Sequence, residues 1–388
     1  MANAPFPELT LFITGPTYIR PEVRAAGAWP EYGHRDAENA KRFEPIFRNL
    51  GVIAGLPADY RTILFLGSGS TAMEASIRSL VAEGETVLHV TVGAFGDLWH
   101  KMSVANGKKA VRLAFEPGTT VDPAVLEAAM AEHKPAAVAI THNETSTGVA
   151  ADVPALCKII KAHGALALVD GVSIFGGAPC PIAESGCDFY ATATQKSLGL
   201  HAGFGIGFVS PAAIEKARHV TARGHATDIL SHLGRAEKFQ TQSTPNGALG
   251  NQMYLQLRYI VEEEGLAARY ARHVAMRDMA VAFVQALPGF DLFAAEGYRS
   301  PTVTAVAAAP GMTSADLKAV KEVLRARGYL FDPGYAKLNE DLEAAGKRPI
   351  FRIGHMGDIT SAMLEAYLKD LGQVLARCRS LATGRQCQ

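Results

Sequence analysis

Strand-length apolar runs alternate with helix-length amphipathic stretches through the first half of this chain, and that alternation constrains the fold more than any other feature. Thr62–Leu66, Thr86–Val92, Ala110–Ala114, Ala136–Thr141, Ala165–Val169 and Phe189–Ala193 read as strands. Between them, 70–82, 95–105, 123–132 and 153–163 read as helices, with Asp122 and Asp152 as N-caps and Pro123 in a first helical position. Continuously apolar strands must be buried on both faces. Joined by helices, they predict an α/β fold with a mostly parallel, helix-covered sheet.

Beyond residue 210 the pattern changes. A polar stretch, 224–250, precedes a long helical run at 251–287. A strand (302–307), a helix (314–327), short strands near Tyr329 and Phe351, and a last helix (361–377) follow. These predict a smaller C-terminal α+β domain. The expected division is an N-terminal arm at 1–20, a large domain at 21–265 and a small domain at 266–388.

Composition narrows the class without naming a chemistry. Lys plus Arg and Asp plus Glu number 38 each in 388 residues, so the formal net charge is zero. Such a balance gives no support for nucleic-acid or polybasic membrane binding. The five cysteines, Cys157, Cys180, Cys187, Cys378 and Cys387, are odd in number and include no CxxC pair. A disulfide framework or thiolate metal site is therefore not expected, and a reducing cytoplasm fits. The first ten residues lack a basic segment followed by an apolar one, and no run of 18 or more apolar residues occurs, so neither a signal peptide nor a membrane span is expected.

Four features fall at strand ends, where an open parallel sheet binds ligands. Gly67-Ser68-Gly69-Ser70-Thr71 lies between a strand and a helix. Glycines admit close backbone approach, and a helix start attracts phosphate. It reads equally as a plain turn with Ser70 as N-cap. With Ala72 it also fits a dinucleotide fingerprint, but the following strand ends in no acidic residue for a ribose. Asp170 closes an apolar strand. A shielded carboxylate there suits a pyridinium cation, or it caps the next turn. Lys196 follows a strand and a hydroxyl-rich turn. A desolvated lysine has a lowered pKa and forms imines with aldehydes, whereas an ordinary loop lysine does neither. Arg352 stands on a short apolar strand, so its planar fork needs an anion: a carboxylate ligand, or Asp358 or Glu365 within the chain.

In this order and spacing, Ser68-Gly69-Ser70, Asp170 and Gln195-Lys196 resemble class V aminotransferases, of the fold type I pyridoxal-phosphate enzymes. The resemblance runs from Ile13-Thr14-Gly15-Pro16-Thr17, through Thr141-His142-Asn143-Glu144-Thr145-Ser146-Thr147-Gly148-Val149, to Arg352-Ile353-Gly354-His355-Met356-Gly357-Asp358. It implies pyridoxal 5'-phosphate as cofactor, held by Lys196 as a Schiff base. Asp170 is then the partner of the pyridine nitrogen, and Ser68, Gly69, Ser70 and Gln195 hold the phosphate. Phe95 stacks on the ring, and Thr145 stands beside it. Arg352 binds the substrate carboxylate. Thr244 resembles a residue that reaches a neighbouring subunit's phosphate, which implies a homodimer with shared sites. His34 and Arg35 resemble a segment lining the substrate entrance, or form a solvated loop pair; His355 is either near that pocket or structural.

The expected activity is transfer of an amino group from alanine or serine to glyoxylate or pyruvate. Phosphoserine transamination with 2-oxoglutarate/glutamate is the alternative on the same scaffold. A nicotinamide oxidoreductase and a catalytically inactive cofactor-binding protein are the alternatives of other classes. Cysteine desulfurases resemble this group too, but stack a His where Phe95 stands and carry a cysteine in a late loop, whereas Cys378 and Cys387 lie at the C-terminal end.

Overall fold

A computed structural model of the chain describes residues 7–382, with side chains to residue 378. Cys387, the first six residues of the expected arm and the end of the expected small domain lie outside the described residues.

The main sheet has seven strands, in the spatial order 61–67, 203–209, 189–193, 166–170, 137–141, 86–91 and 109–114. The last five pair in parallel. Gly203–Val209 runs antiparallel to both of its neighbours. Alternate side chains divide cleanly between two apolar clusters. Leu64, Leu88, Val138, Val169 and Phe208 face the side covered by Ala37–Ile53, Val153–Ala162 and Gly247–Arg258. Ile63, Val87, Ala139, Leu168 and Phe189 face Gly69–Leu80 and Trp99. Both faces of each strand are buried, which is why the runs read as continuously apolar.

Gly203–Val209, where no strand was expected, lies inside the sheet. Its glycines alternate with Phe204, Ile206 and Phe208, so the large side chains fill one cluster and the glycines face the other. A Cβ on Gly205 would strike the Ser68 carbonyl oxygen, and one on Gly207 would come within 2.7 Å of the Phe189 ring. Gly205 lets the Ser68 loop lie on the strand, and Gly207 makes room for the Phe189 ring.

The helical run expected at 251–287 is broken. Gly247–Arg258 leads into a π-helical turn at Tyr259–Glu264, and Gly265, at φ 77°, separates this from Leu266–Gln285. The polar stretch before it holds a short helix, Ile229–Ala236. Four further helices among the described residues, Pro21–Ala26, Ala37–Ile53, Pro211–Arg218 and Ala336–Ala344, escaped the pattern reading. Ala37–Ile53 carries an internal proline, Pro45, and Ala336–Ala344 is short and mostly polar.

A three-stranded antiparallel sheet, with Val303–Ala307 between Asp291–Leu292 and Ile350–Gly354, packs with Leu266–Gln285, Ser314–Ala326 and Ser361–Ala382 around a second apolar core. The N-terminal segment belongs to that core. Thr10–Leu11 pairs in parallel with Tyr329–Leu330, and Phe12 stacks on Tyr367 with ring centroids 3.9 Å apart.

Candidate active site

The strands ending at Gly67, Thr91, Thr141, Asp170 and Ala193 finish at one edge of the main sheet. Everything that the sequence singled out for chemistry, apart from Arg352, His355 and the His34, Arg35 and Thr244 segments, closes or follows one of these ends.

The helix Gly69–Leu80 starts from Ser68, not Ser70; the Ser68 N–H donates to Thr71 Oγ1 at 3.4 Å. This frees Ser70, which is exposed, and leaves Ser68 partly so. Gly69 is packed on Val172, where a Cβ would collide. The loop after Asp170 and the loop before the helix are therefore pressed together.

Asp170 is buried. Its Oδ1 accepts the Val172 N–H at 2.9 Å, so the turn-capping role is real, and its main-chain oxygen accepts from His142 N–H. One hydrogen bond is little for a buried carboxylate. Burial pushes its pKa up to about 7; the Val172 bond opposes this, the Glu144 charge adds to it, and Lys196 pulls it back. Behind it, Tyr190 lies against Gly171 and joins His142 Nδ1, 2.8 Å away, to Cys180 Sγ, 3.1 Å away. Burial brings the His142 pKa down to about 4, so the ring is neutral.

The Lys196 side chain runs over Gly15, where a Cβ would stand 2.6 Å from its Cδ, and its Nζ donates to the Thr14 carbonyl. Burial and the Arg352 charge bring the amine down to about 8, against the opposing pull of Asp170 and Asp332. The loop beneath is held independently of this side chain. Thr17 Oγ1 donates to the Lys196 carbonyl at 3.0 Å. Arg269, fully buried, donates to Ser197 O at 2.5 Å and pairs with Asp358 at 3.0 Å and Glu264 at 2.6 Å.

Arg352 pairs with neither Asp358 nor Glu365. Its Nη2 meets Asp332 Oδ1 at 3.0 Å, its Nη1 donates to Thr145 O at 3.0 Å, and its buried Nε has no partner. Asp358 is spent on Arg269, Arg20 and Gln256. An unpartnered guanidinium nitrogen in a buried site is costly without a ligand.

Phe95 opens the helix Ala94–Ala105, its ring centroid 6.1 Å from that of Tyr335. The start of this helix is closed by Glu144, which accepts from the N–H groups of Phe95 and Gly96 at 3.1 Å and from Ser146 Oγ at 2.6 Å. Glu144 thereby fixes the turn carrying Thr145. Gln195 Oε1 is buried and unpartnered.

His34, Arg35 and Thr244 gather with one another. Arg35 donates to Thr241 O and Gln242 O at 2.6 Å each, and His34 Nδ1 lies 3.5 Å from Thr244 Oγ1. None of their hydrogen bonds or ion pairs reaches Lys196, Asp170 or Arg352. His355 is fully buried against Thr304 Oγ1, at 2.9 Å, and burial brings it down to about 3. The sequence reading gave no role to Thr14, Glu144, Arg269 or Asp332. Thr14 and Glu144 sit inside segments already singled out; Arg269 and Asp332 carry no local signal.

The residues present fit pyridoxal phosphate. A buried carboxylate short of donors faces the charge of a pKa-lowered lysine. An amide-rich helix start stands beside them, and the orphaned nitrogen of Arg352 awaits an anion. A Gly205→Ala change tests the helix start. Its methyl group must displace the Ser68 carbonyl, so affinity for the cofactor is expected to fall about tenfold or more, read by titration of the cofactor-free protein. Unchanged affinity would place the phosphate elsewhere. A cavity of about 490 Å³ is lined by Gly93, Ala94, Arg112 and Tyr335; it touches neither Lys196 nor Asp170. Among the described residues no helix is long and apolar enough to cross a membrane, and no cluster of metal-ligating side chains occurs.

Known proteins similar to this chain show its family. The sequence profile of the family Aminotransferase class-V matches residues 39–328. An aminotransferase of Methanocaldococcus jannaschii is 32% identical over 372 residues, covering 93% of each chain. The serine–glyoxylate aminotransferase of Methylorubrum extorquens is 31% identical, covering 91% of this chain and 88% of that one. The crystal structure of an alanine–glyoxylate aminotransferase from Nostoc sp. superposes with a TM-score of 0.87 at 27% identity, covering 97% and 98% of the two chains. Fold and sequence agree: this chain is a transaminase and belongs to the class V aminotransferases.

Proposed function

We propose that this chain binds pyridoxal 5'-phosphate between Lys196 and Asp170 and moves an amino group from alanine or serine to glyoxylate or pyruvate. The observation that carries this reading is the convergence of Lys196 and Asp170, each with a pKa drawn toward neutrality, at one sheet edge beside the unpartnered Arg352 Nε. Bound pyridoxal phosphate supplies an aldehyde carbon for an amine and a ring that takes up negative charge.

The chain's own residues do the rest. The Lys196 amine anchors the cofactor. The same amine would move a proton at the substrate Cα; with its pKa near 8, both protonation states are accessible at neutral pH. Asp170 holds the ring nitrogen protonated. Ser68, Gly69, Ser70 and Gln195 cradle the phosphate, Phe95 covers one ring face, and Thr145 borders the other groups of the ring. Arg352 takes the substrate carboxylate on its free edge, and Asp332 and Thr145 O fix its plane.

Small substrates are favoured by the commitment of Arg35. Its fork is filled by two main-chain carbonyls, so it offers little to a phosphate on a substrate side chain. We read the ledge of His34, Arg35 and Thr244 as part of the cofactor and substrate site of a second copy, in a homodimer. Cys157, Cys180 and Cys187 are buried thiols outside any disulfide, which suits a cytoplasmic enzyme.

A panel of donors (alanine, serine, phosphoserine, aspartate) against glyoxylate, pyruvate and 2-oxoglutarate tests this reading. Turnover highest with alanine or serine is expected, together with a visible absorption band bleached by the donor. A colourless protein that binds NADH would overturn it. An Arg352→Lys variant is expected to raise KM for both substrates about 10- to 100-fold with less change in kcat, because a point charge replaces a planar fork. An unchanged KM would remove Arg352 from the substrate.

A further inference from the structure

Asp332 makes more contacts than fixing the plane of Arg352 requires. It follows the strand Tyr329–Leu330, is 5% exposed, and forms an isolated bridge with Arg352, whose N–H donates to its carbonyl at 3.0 Å. Both carboxylate oxygens are fully engaged. Oδ1 accepts from Arg352 Nη2 at 3.0 Å and from Gly334 N–H at 3.1 Å. Oδ2 accepts from the Thr14 N–H at 3.2 Å and the Thr14 hydroxyl at 3.0 Å. Thr14 in turn accepts the Lys196 amine on its carbonyl.

The segment carrying Thr14 is a strap. It is tied to the small sheet by Thr10 N–H to Gly328 O, Phe12 N–H to Leu330 O and Gly354 N–H to Phe12 O. From there it crosses to the Lys196 loop, where Thr17 Oγ1 meets the Lys196 carbonyl. A continuous chain of contacts therefore runs from Arg352 through Asp332 and Thr14 to Lys196.

Charge reinforces the geometry. Two cations, Arg352 and Lys196, are placed close enough to oppose each other. Asp170 and Asp332 are the anions that face Lys196, and only Asp332 also touches Arg352.

We propose that Asp332 is a positioning residue: through the Thr14 strap it couples the arginine that receives the substrate carboxylate to the lysine that carries the proton. This rests on the transaminase reading of the site. Loss of the carboxylate frees the Arg352 fork to turn, releases Thr14 from the Lys196 amine, and leaves the two cations without their shared counter-ion.

The test is Asp332→Asn in the full chain, with Thr14→Val as a second variant that removes one donor to Asp332 and keeps the volume. Two quantities are read. One is KM and kcat for donor and acceptor. The other is the pH dependence of acylation of Lys196 by an amine-directed reagent in the cofactor-free protein, followed by mass spectrometry at that residue. For Asp332→Asn we expect KM to rise about tenfold or more with a smaller change in kcat, and the midpoint of Lys196 labelling to move to lower pH. Thr14→Val should move both in the same direction by less, and Asp332→Glu should restore the labelling midpoint. An unchanged KM, or a raised KM with an unmoved midpoint in folded Asp332→Asn, would overturn the coupling. If Asp332→Asn does not fold, Thr14→Val decides on the same two quantities. Failure of the parent chain to transaminate would instead overturn the functional reading itself.

Discussion

Lys196→Ala is expected to lower transamination by about 10³-fold or more while leaving the melting temperature within a few degrees of the parent. The two halves of that expectation rest on different contacts. The loop around residue 197 is held by main-chain groups. Arg269 reaches Ser197 O and Gly176 O, Thr17 reaches the carbonyl of residue 196, and Gly199 N–H closes the turn on the same oxygen. None of these needs the lysine side chain. What the side chain adds is an amine on Thr14 O, at a pKa near 8, beside Asp170 and Arg352. Burying that amine opposes its charge, so removing it costs the fold little. Chemistry loses both the anchor of the cofactor and the group that shuttles the Cα proton. Turnover with alanine or serine and glyoxylate, measured beside a melting curve, separates the two. A folded variant with parental turnover would remove Lys196 from the mechanism.

How much of this was legible in the sequence depends on what each residue's neighbours are. Strands buried on both faces announced the sheet, because continuous apolar runs such as Ala137–Thr141 leave few other folds open. Asp170 and Lys196 were legible because each closes or follows such a strand. Gly203–Val209 was not, because three of its seven residues are glycines, Gly205 among them demanded by the Ser68 loop, and glycine is a poor strand former when read alone. Ala37–Ile53 was hidden by Pro45, which a local reading treats as a helix stop. The partner of Arg352 was misread for another reason. Asp358 is closer in sequence, but Arg269 and Gln256 already hold it, while Asp332 arrives from a neighbouring segment. Pairings of this kind are set by strand register and long-range packing, which single-chain patterns do not carry.

Asp170→Asn is expected to change activity and stability in opposite directions, and the contrast identifies what the carboxylate is for. Within the chain Asp170 has one side-chain hydrogen bond, and burial lifts its pKa from 3.8 to about 7. A carboxyl raised in this way stabilises the fold in its protonated form. That contribution is complete below about pH 3.8 and is gone once the pH has risen through about 7. At pH 8 the folded chain therefore carries a buried charge whose cost, at about 1.4 kcal/mol per pKa unit, is on the order of a few kcal/mol. Asparagine keeps the shape and removes the charge. The cofactor-free variant should melt above the parent at pH 8, by a margin that narrows at pH 5. With cofactor the sign inverts. A protonated ring nitrogen is the cation that this carboxylate lacks, so the variant should hold pyridoxal phosphate more weakly. Turnover should fall about 10²- to 10³-fold, the range seen when one preorganised electrostatic group is removed. Calorimetry of the cofactor-free and cofactor-loaded proteins at both pH values reads the stability terms directly. Equal melting of parent and variant at pH 8 without cofactor would show that the Asp170 charge is already neutralised within the chain, and the site would then have no call for a pyridinium partner.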